Sequence, residues 1–222
     1  MDNTQRLIEL FKEFPGIGPR QAKRFVYFLL NRNPTYASDL AKLISEVRAT
    51  VHSCDTCFRF FPHIQTPATS SKGKQANGTN VRHRVSNICP TCRDESRDKK
   101  SLMLISHDVD FENIEKTKAY NGYYFILGGT VPILEKNPEK RIRQKNLLEI
   151  LDERIKDGLS EIIIALNYNP EGENTLSYLR GILSKGTFDR IKISILGRGL
   201  STGTELEYSD SETIKNALKN RQ

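Results

Sequence analysis

Apolar residues recur every three to four positions through the first fifty residues. Beyond residue 100 they form short continuous runs instead. The first pattern predicts three helices. Leu7, Ile8, Phe11 and Phe14 line one face over about 4–14, and Pro15-Gly16-Ile17-Gly18-Pro19 ends that helix. Pro19 suits a first helical turn, and a second helix follows to about residue 30 with Ala22, Phe25, Val26 and Leu29 on one face. Leu40, Leu43, Ile44, Val47 and Val51 line a third helix, with Ser38 as its expected N-cap. The later runs predict strands over 102–105, 123–127, 161–166 and 191–196. Helices are expected near 111–118, 141–156 and 175–183, with a last one near 211–220. This alternation implies an open α/β sheet, mostly parallel, with ligands at the carboxyl ends of its strands.

The cysteines divide these two regimes. All four lie in two knuckles, Cys54-Asp55-Thr56-Cys57 and Cys89-Pro90-Thr91-Cys92, separated by 31 residues. Two Cys-x-x-Cys turns can close a tetrahedral Cys₄ site, so one structural Zn²⁺ held by Cys54, Cys57, Cys89 and Cys92 is expected. Two redox dithiols are the alternative; a thioredoxin-type motif, however, occurs once and follows a strand. Phe58, Phe60 and Phe61 are expected to pack around the metal. Between the knuckles, residues 65–87 are rich in Thr, Ser, Gly, Asn and Gln. They carry Lys72, Lys74, Arg82, His83 and Arg84 without an acidic residue, which reads as a basic loop. His63 and His83 are spare ligands to a shell that four thiolates already fill. The chain has 222 residues, 37% hydrophobic and 27% charged, with a formal charge of +7. That balance suits a soluble globular protein with a polyanionic partner. No apolar run resembles a signal peptide or a membrane span, so a cytoplasmic location is expected.

The turn at residues 14–24 carries specific chemistry. Phe14-Pro-Gly-Ile-Gly-Pro-Arg-Gln-Ala-Lys-Arg24 resembles a helix-hairpin-helix motif. Gly16 and Gly18 permit unusual backbone angles and leave the backbone bare. Ile17 can turn inward between the helices. The N–H groups at the start of the second helix can then grip a DNA phosphate, with Arg20, Lys23 and Arg24 adding charge. Such contacts position DNA without reading its sequence. The same motif occurs in glycosylases with a catalytic Asp downstream; Asp39 reads more simply as a first-turn residue of the third helix.

The strand ends carry the remaining candidates. The run over 161–166 leads into Asn167-Tyr168-Asn169-Pro170-Glu171-Gly172-Glu173, where two carboxylates on a loop could share a Mg²⁺. The last strand leads into Gly197-Arg198-Gly199-Leu200-Ser201-Thr202-Gly203, which lacks the Gly-Lys-Ser/Thr ending of a P-loop and so excludes that kind of ATPase.

Together the hairpin, the paired knuckles with Cys-Arg-Asp, Tyr-Tyr-Phe-Ile-Leu-Gly-Gly, Asn-Pro-Glu-Gly-Glu and Arg-Gly-Leu-x-x-Gly-x-Glu-Leu-Glu-Tyr resemble the RecR family of bacterial recombination mediators. The resemblance implies four parts: a helix-hairpin-helix domain over 1–53, a Cys₄ zinc finger over 54–93, a Toprim domain over 100–198 and a C-terminal segment over 199–222. It implies a dimer or ring-shaped tetramer that clamps DNA, without catalysis, and works with RecO and RecF to load recombinase at gapped DNA. It further implies that Glu171 and Glu173 lie on a surface that meets RecO. Two features depart from the pattern. The finger insertion is longer than usual, and Ser106 stands where the first Toprim strand usually ends in a glutamate. Glu171 and Glu173 without that carboxylate argue against a Mg²⁺-dependent nuclease or primase, the alternative function, unless Asp108 or Asp110 substitutes.

Overall fold

The computed structural model describes residues 2–62, 87–184, 188, 190–197, 211 and 213–215. The basic loop between the knuckles, with His63 and His83, lies outside them, as do Arg198 and nearly all of the C-terminal segment. The chain falls into two compact units, one built on Met1–Val51 and the other holding His52–Phe61 with the later elements.

The first unit contains three helices, α1 (Asn3–Lys12), α2 (Pro19–Leu30) and α3 (Pro34–Thr50). Ile8, Ala22 and Val26 form its small core, with Phe11 and Ile17 packed against it. Leu7 and Phe14, expected on the buried face of α1, are exposed, and Phe14 lies beyond the helix end. The start of α3 also differs from expectation. Asn33, not Ser38, is its N-cap, accepting from the Thr35 amide at 3.1 Å, and Pro34 occupies the first turn. Asp39 therefore sits past the first turn. None of the α3 side chains is buried; Leu43, Ile44 and Val47 are 56%, 63% and 57% exposed. The predicted helix ends before Val51, which enters a strand.

The second unit opens with β1 (Val51–Ser53) and β2 (Phe60–Pro62), which pair into a two-stranded sheet, and a short helix, α4 (Pro90–Arg93). None of these was legible in the periodicity, because three or four residues span barely one repeat of a pattern. The remainder alternates as expected: β3 (Asp98–Ile105), α5 (Asp108–Thr117), β4 (Gly122–Ile126), α6 (Gln144–Lys156), β5 (Glu161–Ala165), α7 (Pro170–Leu183) and β6 (Lys192–Ile195). The strands form one parallel sheet in the order β4-β3-β5-β6. Leu102 and Leu104 of β3 face a core shared with Leu147 and Leu151 of α6 and Leu179 of α7. Met103 and Ile105 face the opposite side, against Phe111 of α5 and Tyr124. Burial on both faces explains the unbroken apolar run Leu-Met-Leu-Ile. Among the described residues no helix is long and apolar enough to cross a membrane.

Candidate functional site

The structure brings the four cysteines together. Cys54 follows β1, Cys57 closes the next turn, Cys89 caps α4 and Cys92 lies within it. Their sulfurs all lie within 4.8 Å of one another, and Cys57 Sγ is 3.6 Å from Cys89 Sγ. A tetrahedron with metal–sulfur bonds of about 2.3 Å has sulfur–sulfur edges of about 3.8 Å, so the donor set can hold a metal ion. Local bonds hold both knuckles in shape. The Cys54 amide donates to Arg59 O at 2.9 Å, the Phe58 amide to Cys54 O at 3.0 Å, and the Cys92 amide to Cys89 O at 3.1 Å. The Cys89 amide also points at Cys54 Sγ, 3.4 Å away. Crowding sets the thiols against each other. Hydrogen bonds from Cys57, then Cys89 and Cys92, push the Cys54 thiol pKa down, and the same bond to Cys54 pushes Cys57 up. A divalent cation resolves this conflict by favouring every thiolate at once.

The three phenylalanines do not act alike. Phe61 is buried against the cysteines. Phe60 is half exposed. Phe58, with a left-handed φ of 62°, turns away from the sulfurs and puts its ring 5.3 Å from that of Phe125, in the core of the parallel sheet. One left-handed residue in the knuckle turn reverses where its side chain points.

At the hairpin, only Gly16 needs glycine's freedom, with φ of 76°. Gly18 is extended (φ −82°, ψ 171°), contrary to the expectation for both. A Cβ at either position would meet nothing within 4 Å, so both backbones are bare to solvent. Gly18 caps α2 without a side-chain bond, and Arg20, Lys23 and Arg24 are exposed on its first turns. Bare backbone, a helix N-terminus and three cations at one end form an arrangement suited to a phosphate.

The acidic candidates lie at the carboxyl end of the parallel sheet. Glu171 and Glu173 are not on a loop, as expected, but in the first turn of α7. Asn169 is the N-cap of α7, accepting from the Gly172 amide at 2.8 Å, and Pro170 follows it. Between the glutamates a Cβ on Gly172 would come 1.9 Å from Asn167 O, so only glycine permits this tight entry. Glu171 Oε2 accepts from Thr130 Oγ1 at 2.9 Å. Thr175 anchors the same loop, accepting from the Val131 amide at 2.8 Å. Beside them a cleft of about 340 Å³ is lined by Asn167, Tyr168, Glu173, Leu176 and Leu196. Ser106, at the end of β3, is fully buried, and its Oγ has no hydrogen-bond partner among the described residues. Asp108 Oδ1 accepts from the Phe60 amide at 2.7 Å, and Asp110 Oδ2 from the His107 amide at 2.9 Å. Thr130, Asn169 and Gly172 were missed at this site. The Asn-Pro pair was a usable signal for Asn169; nothing local marked Thr130.

Three family models match this chain. Residues 4–48 match "RecR, helix-hairpin-helix", residues 100–196 match "Toprim domain", and residues 199–222 match "RecR, C-terminal". Similar full-length proteins are named "Recombination protein RecR". The one from Bifidobacterium adolescentis is 35% identical over 98% of this chain and 94% of its own length. That from Chloroflexus aggregans is 33% identical over 98% and 92%, and that from Lactobacillus johnsonii 29% identical over 97% and 94%.

Proposed function

Because the chain belongs to the RecR family of recombination proteins, we propose that it is a DNA-binding recombination mediator, acting without turnover at gapped DNA. The observation that carries this reading is the open end of α2. Gly16 and Gly18 leave the backbone accessible, and Arg20, Lys23 and Arg24 stand exposed beside it. A phosphate seated there would receive N–H donors, a helix dipole and three cations, none of which reads a base. The net charge of +7 supports the same partner.

In this reading the four cysteines hold one Zn²⁺, whose chemistry is structural: with all four positions filled by thiolate, none is open for a substrate. Glu171, exposed, and Glu173, half-buried, form the candidate surface for a RecO-type partner, with a RecF-type protein in the same assembly. Two observations favour partner binding over Mg²⁺ catalysis. Ser106 is a buried hydroxyl where catalytic Toprim sites carry a carboxylate, and Asp108 and Asp110 are each engaged by a backbone amide. The exposed apolar residues of α3 support self-association into a dimer or a ring, since a patch of that kind marks an interface.

Salt-dependent DNA binding tests the assignment. Arg20→Ala with Arg24→Ala is expected to weaken binding to duplex and gapped DNA alike and to reduce the log K against log salt slope by about 2, one for each lost phosphate contact. Unchanged affinity and slope in a folded, metal-loaded variant would remove α2 from the interface.

A further inference from the structure

The Cys54–Cys57 knuckle docks on the parallel sheet as well as on its own metal site. β4 is an edge strand of that sheet. The Leu127 amide donates inward to Ile105 O at 2.8 Å, so the neighbouring Ile126 amide points away from β3. That outward amide donates to Cys57 O at 2.9 Å. The Ile126 carbonyl accepts from Arg143 Nη1, also at 2.9 Å. Both edge groups of Ile126 are thus capped, one by a cysteine of the metal centre. A second element completes the arrangement. The Arg143 guanidinium lies 5.7 Å from the centre of the Phe58 ring, and a Cβ on Gly128 would come 2.9 Å from its Cζ. The Arg143 amide donates to Leu127 O at 2.9 Å. Arg143 therefore sits between the knuckle and the Gly128-Gly129 turn, two residues before Thr130, which holds Glu171. On the α5 side, Arg59 adds a further tie, with Nη1 donating to Thr91 Oγ1 at 3.1 Å and Cζ 4.1 Å over the Phe111 ring.

The geometry points to a metal-dependent edge cap: the knuckle closes the β4 edge, and Phe58 and Arg143 carry the state of the four-cysteine centre to the Gly128–Val131 turn and so to the seating of Glu171. This rests on the reading that the cysteines hold a metal, and it extends that role from holding the finger together to positioning the acidic end of α7. The physical reason is rigidity. Cys57 O and the Phe58 ring keep their positions only while the knuckle is closed, and an open edge exposes unpaired backbone groups that a sheet protein must cover. Phe58 is the hinge of the device, because its left-handed backbone aims the ring at the sheet while the adjacent sulfur faces the metal.

Amide hydrogen exchange on the full chain, with metal content measured in parallel, tests the proposal. Chelation is expected to speed exchange at Ile126 and across Gly128–Val131 by up to ~10-fold, the value of one ordinary hydrogen bond, while Ile162 and Ile164 of β5 keep their protection. Phe58→Gly accommodates the positive φ and removes only the ring. It is expected to retain one metal per chain, to show the faster exchange already, and to respond less to chelation. Arg143→Met keeps the side-chain stem and removes the donors; it is expected to loosen Gly128–Val131 with metal bound. Unaltered exchange at Ile126 and Gly128–Val131 after metal loss, or in metal-loaded Phe58→Gly, overturns the coupling. Failure to bind metal at all would instead sink the metal reading, leaving the Phe58→Gly comparison to decide the edge contact.

Discussion

Asp108 and Phe60 are joined across 48 residues of sequence: the Phe60 amide donates to Asp108 Oδ1 at 2.7 Å. The bond ties β2 of the finger to the first turn of α5, and it engages a carboxylate that would otherwise be open to a cation. Asp108→Ala is expected to lower stability by ~1 kcal/mol, the usual worth of one such bond. Asp108→Asn keeps an acceptor in place and should stay near the parent. Denaturant unfolding measures both. A Mg²⁺-dependent DNA cleavage lost in the Asn variant would overturn the structural role.

Gly16 and Gly18 separate backbone strain from ligand access. Gly16→Ala places a Cβ at φ of 76° and is expected to cost ~1 kcal/mol of stability. Gly18→Ala, extended and in open space, escapes that strain and should cost only the ~0.5 kcal/mol by which glycine exceeds alanine as an N-cap. Both variants should bind DNA more weakly, because a methyl group stands where a phosphate would approach. Thermal melts and DNA titrations distinguish the two effects; a Gly18→Ala protein with parental affinity would argue against backbone contact there.

The α3 face predicts a change of mass. Ile44 is 63% exposed within an apolar stripe. Ile44→Asp should shift the protein toward the monomer, while Lys42→Gln, on the opposite side of the helix, should not. Light scattering after size exclusion reads this directly. An unchanged mass for Ile44→Asp would assign self-association to another surface.

Glu115 gives a pH signature. Burial raises its pKa, but hydrogen bonds from Arg97 and Tyr124 and the Arg97 charge outweigh burial, leaving it below the ordinary value. A depressed folded pKa contributes stability above the unfolded value of about 4.3, and that contribution is lost as pH falls through the folded pKa. Glu115→Gln should therefore be destabilised at neutral pH, with the difference from the parent narrowing on acidification. Parallel unfolding curves at pH 7 and pH 3 check it; a constant gap would contradict the linkage.

Much of the fold was legible because its signals are local. The strands of the sheet are apolar runs, and their parallel pairing follows from the helices between them. The starts of α3 and α7 were misread for a shared reason. Asn33-Pro34 and Asn169-Pro170 each place a capping side chain before a residue with helical φ, whereas the apolar periodicity becomes visible only farther along. Periodicity alone therefore leaves Glu171 and Glu173 on a loop, and the Asn169 cap puts them in a helical turn. The exposed stripe of α3 is the opposite case. Its periodicity correctly gave a helix, but periodicity shows only that one face is apolar, not what covers it.

The sequence by itself determined the two cysteine knuckles, the glycine turn before α2 and the α/β order, because each is written in residues close together along the chain. Tertiary structure alone decided how the cysteine knuckle and the acidic end of α7 meet the rest of the second unit. Phe58 reaches Phe125, Cys57 caps Ile126, and Thr130 holds Glu171 across separations for which no local spacing supplies a rule. Such contacts exist only once the sheet has set its edges, since backbone groups left open there need partners wherever the folded chain brings them.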